Sequence, residues 1–334
     1  MTKIIIIGAG IGGLTAAIAL ARCGMDVHIF EKAPALGEVG AGLQQSPNAM
    51  AVHDALGTET AILAHAFEPE AGYLRDFQSG KPRLTTPMKG VYEKRYGHKY
   101  INIHRADLLD ALIQRAKNLN ISLHLDQWIE SLENEADGVR LHVNGDMIEA
   151  DALIGADGIR SQIRNMIVGP SSPRFTGQVA WRGLVETNTL PQGTIPYAAN
   201  NWMGEGRHFV SYYLRGTELI NFVAVEERET WAEERWDEPA NLQELRQAFT
   251  GWDPRITALL EACENSFLWG LFDHAPLPFW SKGRVTLLGD AAHPMLPFMA
   301  QGAAMAVEDG WVLAHALSLH RDNIPRALSH YETL

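Results

Sequence analysis

Cysteine is nearly absent from this chain of 334 residues, which holds only Cys23 and Cys263. The two are far apart and neither sits in a CxxC or other ligand spacing, which excludes a dense disulfide framework and a cysteine-built metal centre. Cys23 falls in the first helical stretch and reads as a small core residue. Positive charge is also scarce. Twenty-eight Lys and Arg stand against forty Asp and Glu, a net charge of −12, which argues against nucleic acid or an anionic membrane as a partner. No apolar run of about 20 residues occurs, so no membrane-spanning helix is predicted. No signal peptide precedes the strand that begins at Lys3, and the expected location is cytoplasmic. The 13 histidines show no HExxH or similar pairing, so no metal site is predicted. Repeats and low-complexity segments are lacking as well. What remains is the composition of an ordinary globular protein, 46% hydrophobic and 20% charged, with enough chain for two domains or one large one.

Against these absences the first fourteen residues stand out. Ile4 to Ile7 form an all-β-branched run, which reads as a strand buried on both faces of a parallel sheet. Gly8-Ala-Gly10-Ile-Gly12-Gly13 follows, and then an alanine-rich stretch, Leu14 to Arg22, that reads as a helix. Gly8, Gly10 and Gly13 at a strand–helix junction let the backbone approach a pyrophosphate at the helix N-terminus. A second strand, Asp26 to Phe30, ends in Glu31, 18 residues after Gly13. An acidic residue there accepts hydrogen bonds from ribose hydroxyls. The pattern predicts a dinucleotide site without saying which dinucleotide.

Further on, Lys32 to Gly42 is irregular, and Ser46-Pro47 marks the start of a helix ending near Gly57. Gly72 to Pro87 resembles a hairpin turning at Gln78-Ser79-Gly80. A helix runs from Ala106 to Lys117, with Leu108, Leu109, Leu112 and Ile113 on its apolar face. A short strand, Ile121 to Leu125, precedes two strands within Glu130 to Val143 and another ending at Ile154. From about Phe175 alternating stretches (177–185, 207–214, 219–225) predict antiparallel strands, followed by helices near 242–249 and 255–263. The βα character returns with a buried strand at 283–288 and a long helix from Gln301 to Leu319. The dinucleotide lobe is therefore discontinuous, with another lobe inserted. Nine tryptophans are scattered and are assigned to the core, with Trp181 and Trp202 as candidates to line an aromatic pocket. The last residues, Tyr331 to Leu334, carry no helix stop signal, which is the pattern of a truncated chain.

Three stretches decide the chemistry: the glycine loop with Glu31; Asp157-Gly158-Ile-Arg160-Ser-Gln-Ile-Arg164; and Leu288-Gly289-Asp290-Ala-Ala-His293-Pro294 with Ala300-Gln301-Gly302. At these residues the sequence resembles the single-component FAD-dependent aromatic hydroxylases, the group A flavoprotein monooxygenases with the para-hydroxybenzoate hydroxylase fold. The resemblance covers nearly the whole chain in order. It implies an α/β (α+β overall) protein, a Rossmann-like FAD-binding domain with an inserted mixed β-sheet substrate domain. The implied division is 1–72, 101–174 and 267–334 for the cofactor, with 73–100 and 175–266 for the substrate.

The resemblance also assigns residues. Gly8, Gly10, Gly13, Glu31, Lys32, Arg105, Ile129, Asp157, Asp290, Gly302 and Ala303 are implied to bind FAD. His208 and Tyr212, four apart on a strand and so on one face, are implied to meet the aromatic substrate. His208 would be the base that deprotonates a phenol, Tyr212 would orient its hydroxyl or carboxylate, and Gln301 would bond substrate beside the flavin. Taken alone, a histidine on a strand face is more often structural. His293 belongs to the Gly-Asp motif and is given a structural or flavin-proximal role. Ala300 and Ala304 replace the usual Gly and Asn, which points to the salicylate, 3-hydroxybenzoate and 6-hydroxynicotinate hydroxylase branch. Gln44 stands where the 6-hydroxynicotinate enzymes carry His, which favours a benzoate over a pyridine.

The implied activity is NADH- or NADPH-dependent hydroxylation of a small hydroxylated aromatic acid with O₂ through a flavin hydroperoxide, by a monomer or homodimer. No second glycine fingerprint is present, so NAD(P)H is expected to visit transiently. Three rivals make distinct expectations. A flavin oxidase would release peroxide without hydroxylated product. A non-catalytic FAD-binding module would not turn over. A plain NAD dehydrogenase would lack the yellow absorbance of flavin.

Overall fold

Four β-branched residues in a row are best accommodated where both faces of a sheet are covered. Ile4 to Ile7 lie in the strand Lys3–Ile7, inside a six-stranded sheet. Ile4, Ile5 and Ile6 have no exposed surface, and the burial of each contributes about 2 kcal/mol. The structure is a computed structural model that describes all residues except 38–41, 171 and 232–237, so part of the irregular stretch Lys32 to Gly42 and one of the nine tryptophans, Trp236, fall outside it. Asp26–Phe30 and Ala152–Gly155 flank the first strand in parallel. Val285–Leu287 and Ser122–His124 extend the sheet in parallel, and Ser281–Lys282 closes one edge antiparallel.

The first helix, Ile11–Arg22, begins at Ile11 rather than Leu14. Gly12 and Gly13 are themselves helical, so the turn is confined to Gly8 through Gly10. This helix lies against the long helix Gly302–Leu319. Their small residues allow near-contact of the backbones: a Cβ at Gly310 would sit 2.8 Å from the Ala16 nitrogen. Cys23 is the C-cap of the first helix and packs half-buried against the core, whereas Cys263 is buried.

A separate eight-stranded sheet runs in the order Glu238–Pro239, Ser266–Asp273, Arg174–Glu186, Leu219–Glu227, Arg207–Leu214, Ala199–Gly204, Ala71–Asp76, Pro82–Pro87. All pairs are antiparallel except Ala199–Gly204 with Ala71–Asp76. The period of two divides its side chains. Trp181, Trp202, Phe209, Tyr213 and Phe222 point to one face, where they pack with Leu245, Ile256 and Leu259 of the helices Leu242–Ala248 and Pro254–Glu261. Trp181 and Trp202 are thus fully buried core and do not line a pocket. The Trp202 indole donates to the Asp253 Oδ2 at 2.6 Å. The strands Ala199–Gly204 and Ser266–Asp273 were not expected from the sequence. The first is rich in Asn and Gly, and the second, Ser-Phe-Leu-Trp-Gly-Leu-Phe-Asp, has no apolar–polar alternation.

Smaller sheets complete the frame. Gly42–Gln45 pairs antiparallel with Ile101–His104. Ile129–Asn134, Val139–Val143 and Asp146–Ala150 form a three-stranded sheet whose Leu141 and Val143 share a core with Ile5, Ile7 and Phe30. The chain ends in the helix Ile324–Thr333, whose overlooked start signal is Asn323, which accepts from the Arg326 N–H at 3.1 Å. No helix among the described residues is long and apolar enough to cross a membrane.

Candidate functional site

The glycine loop tolerates no side chain at two of its three fingerprint positions. Gly8 has φ +106°, and a Cβ there would lie 2.4 Å from the Ala156 carbonyl oxygen. A Cβ at Gly13 would lie 2.0 Å from the Gly8 carbonyl oxygen. Gly10 differs, because a Cβ there would meet nothing within 4 Å. Its open side faces the N-terminus of a twelve-residue helix, whose first N–H groups have no intrahelical acceptor. That is the donor set a pyrophosphate needs.

Glu31 closes the loop from the next strand. Its Oε2 accepts from the Ala9 N–H at 2.8 Å and its Oε1 from the Ala33 N–H at 2.9 Å. One lone pair on each oxygen remains for ribose hydroxyls. Lys32 beside it is exposed. Ile129 is buried among Ile7 and Phe30, so its side chain is core and its backbone is what it can offer.

In the second motif the Asp157 side chain is engaged within its own turn. Asp157 Oδ1 accepts from the Ser161 hydroxyl at 2.5 Å, and Oδ2 accepts from the Gln162 and Ile163 N–H groups at 2.7 and 3.2 Å. The carboxylate caps the helix Gln162–Ile167, which leaves the backbone around Gly158, φ +77°, as the turn's free surface. Arg164 is buried and binds carbonyl oxygens: Asp290 at 3.4 Å, Ala291 at 3.3 Å and Ile159 at 2.5 Å. It ties the second motif to the third.

In the third motif the turn Gly289–Ala291 is held by Asp309 of the long helix. Asp309 Oδ2 accepts from the Gly289 N–H at 2.9 Å and lies 2.7 Å from His293 Nε2. Burial opposes charge on His293, but the hydrogen bond and charge of Asp309, helped by Asp290, outweigh it and raise the imidazole above its ordinary value. Trp280 covers the ring at 4.9 Å. His293 therefore holds the turn in place. Asp290 itself reaches solvent, yet protein crowds its carboxyl enough to raise it, against the pull of Arg105 and His293. Arg105 opens the helix Arg105–Asn118, where His104 Nδ1 caps the Ala106 N–H at 3.3 Å.

The three chain segments thus meet: Gly8 abuts Ala156, Gly12 abuts Leu288, and Arg164 binds the Asp290 and Ala291 carbonyls. The open Gly10 cradle suits a pyrophosphate, Glu31 and Asp290 suit polyol hydroxyls, and Gly302 with Ala303 begins an eighteen-residue helix whose N–H groups favour negative charge. The residues present fit FAD.

The second face of the eight-stranded sheet meets these segments at Gly42 and Phe298. His208, Val210 and Tyr212 alternate onto it from the strand Arg207–Leu214. The His208 ring meets Phe298 at 5.7 Å, and burial lowers its pKa. Tyr212 is buried, which pushes its phenol up to about 12 against the opposing charge of Arg182. Gly42 runs along the Tyr212 ring so closely that a Cβ would lie 2.5 Å from it, and the Gly42 N–H donates to Asn221 Oδ1 at 2.9 Å. Gln44 accepts from the Tyr100 hydroxyl at 2.7 Å, and Gln301 accepts from the Ser46 hydroxyl at 3.3 Å. Arg182, Asn221 and Trp269 join this face, and no local motif singled them out. Their common signal is register, because Arg182 pairs with Val223 and Asn221 with Tyr212.

Separately, Asp54, Glu59 and His98 place ligand atoms within 4.8 Å of one another, with Asp54 exposed and the other two half-buried.

The chain is similar to known proteins. The chain is 36% identical to the 6-hydroxynicotinate 3-monooxygenase of Pseudomonas fluorescens, over 94% of its own length and 82% of that protein. It is 37% identical to 3-hydroxybenzoate 6-hydroxylase 1 of Aquipseudomonas alcaligenes, over 98% and 84%. Its fold superposes on a salicylate hydroxylase substrate complex with TM-score 0.85 and 28% identity, covering 99% of this chain and 84% of that one. Residues 1–332 match the FAD binding domain family, and the chain belongs to it.

Proposed function

We propose that this protein is a FAD-dependent monooxygenase that hydroxylates a small hydroxylated aromatic acid, with O₂ and NADH or NADPH as co-substrates. The observation that carries the reading is the pairing of a cofactor cradle with a sheet face bearing His208 and Tyr212. When bound, FAD supplies the reduction by NAD(P)H and the activation of O₂. The chain supplies position, dryness and proton handling. His208, kept neutral by burial, accepts the phenolic proton and makes the ring electron-rich. Tyr212 stays protonated and donates to the acid. Gln301, with its carbonyl held by Ser46, turns its amide N–H₂ toward substrate. Residues 1–72, 101–174 and 267–334 form the cofactor lobe in this reading, and 73–100 with 175–266 the substrate lobe. The protein works in the cytoplasm as a monomer or homodimer.

A salicylate- or 3-hydroxybenzoate-like substrate is favoured by Gln44, whose carbonyl is already committed to Tyr100. A hydroxypyridine acid is the second reading, favoured by the 36% identity to the nicotinate enzyme. The test is NADH and NADPH oxidation by the FAD-loaded protein with salicylate, 3- and 4-hydroxybenzoate and 6-hydroxynicotinate, with products identified. One acid should accelerate oxidation and yield its hydroxylated product. Stoichiometric peroxide with no such product from any acid would make it an oxidase.

A further inference from the structure

Arg182 pairs with no carboxylate among the described residues. It lies on the strand Arg174–Glu186, on the face opposite the Trp181 core and in line with Val223 and Val210. Its Nε is buried and has no hydrogen-bond partner among the described residues. The charges that bear on it are those of Tyr212 and Arg105, neither of them a carboxylate. Trp269 orients the guanidinium, with Cζ 5.5 Å from the ring centroid. A cation so placed is costly until an anion joins it.

The neighbouring groups are donors too. Asn221 is a diagonal neighbour of Arg182, since it pairs with Leu184, two residues further along the same strand. Its Oδ1 is taken by Gly42, while its Nδ2 is buried without a partner among the described residues. Tyr212, which pairs with Asn221, keeps its proton. A planar fork, an amide N–H and a phenol O–H make a site for a planar anion. The span also fits. Arg182 and His208 are two strands and two residues apart, about 12 Å between Cα atoms at ordinary sheet spacings. Two side chains and one benzene ring fill that length.

The geometry points to a carboxylate subsite formed by Arg182 with the Asn221 amide, which grips the acid group of the aromatic substrate and so presents its hydroxyl end to His208. This rests on the aromatic-acid reading above and makes Arg182 the residue that selects acids over neutral phenols.

The test is equilibrium binding to the FAD-loaded protein without NAD(P)H, read from the visible spectrum of the bound flavin and by calorimetry. The probes are benzoate against benzamide, and 3-hydroxybenzoate against 3-hydroxybenzamide. The wild type should prefer each acid by at least about 30-fold. R182Q should lose acid affinity by about the same factor, while its amide and FAD affinities stay within about 3-fold. R182K should keep part of the preference, because the charge remains and the fork is lost. Equal binding of acid and amide by the wild type overturns the subsite and needs no variant. So does an R182Q or R182K protein that binds FAD and prefers the acid as strongly as the wild type does. Benzoate has no hydroxyl and its binding requires no turnover, so the two readings fail separately. Selective acid binding without hydroxylated product breaks the activity, and hydroxylation of neutral phenols as readily as acids breaks the subsite.

Discussion

In the proposed site the groups that would hold the cofactor are backbone, and those that would meet the substrate are side chains. The cradle is made of N–H groups freed by Gly8, Gly10 and Gly13 and fixed by one carboxylate from the next strand. The sheet face is made of His208, Tyr212, Arg182 and Asn221, drawn from three strands and aligned only by register. Backbone sites are fixed by what cannot be there, since a Cβ at Gly8 or Gly13 collides. Side-chain sites are fixed by what surrounds them, so they adapt when a neighbour changes.

The sharpest way to break this contrast is to add one carbon to the cradle. Gly13→Ala places a methyl 2.0 Å from a backbone oxygen that cannot move without opening the loop. We expect a loss of about 3 kcal/mol in stability and a colourless protein after purification. If G13A retains flavin and its melting temperature, the cradle is softer than its geometry.

At the sheet face the largest effect should be kinetic. His208→Gln is expected to lower hydroxylation by about 10²-fold while flavin binding and melting temperature hold. Because burial lowers the His208 pKa, the neutral form persists to lower pH, and the acid limb of kcat/KM should lie below about 6.5. An acid limb above that value would assign the limb to another group.

This contrast also decides what was legible in the sequence. Ile4–Ile7, the glycines and Glu31 lie within a single βαβ unit, where local pattern and geometry coincide. Asp290 and Gln301 were readable for the same reason, as the end of one strand and the start of one helix. Asp157 was readable as a motif, but its carboxylate proves to be a helix cap. Arg182 and Asn221 carried no local mark: a polar residue in an alternating strand reads as solvent-facing until the opposite wall is known. Trp181 and Trp202 were misplaced for the converse reason, because which face of a strand carries the core depends on the helices that cover it.

The two ends should also separate under acid. His53 is fully buried, with its nitrogens 3.1 Å from Thr58 Oγ1 and 3.2 Å from Gln45 Oε1, and burial lowers its pKa to about 4. The unfolded chain takes up this proton near pH 6.5. Its contribution to stability is therefore complete above that pH and is lost as pH falls toward 4. Between pH 6.5 and 5 the loss is about 1.5 kcal/mol. Gln45 belongs to the strand that runs past Tyr212, so amide exchange should rise along Gly42–Gln45 before it rises in Lys3–Ile7. Simultaneous release of both would mean that His53 reports only global unfolding.

The smallest effect is the mirror image of the first change. Ala300 holds φ +52°, a left-handed conformation that favours glycine. In the cradle an added methyl is intolerable; here a methyl is present and the backbone bears it. Ala300→Gly relieves about 1 kcal/mol of strain but gives back most of that in unfolded-chain entropy, about 0.4–1 kcal/mol. The net change in melting temperature should be within about 2 °C. What the methyl does is stiffen the residue before Gln301. A300G should therefore leave stability nearly unchanged while it weakens the binding of aromatic acids by about 3-fold, through a looser Gln301. A stability gain well above 1 kcal/mol would show that the substrate side, like the cradle, is limited by backbone strain, and the contrast between the two ends would fall.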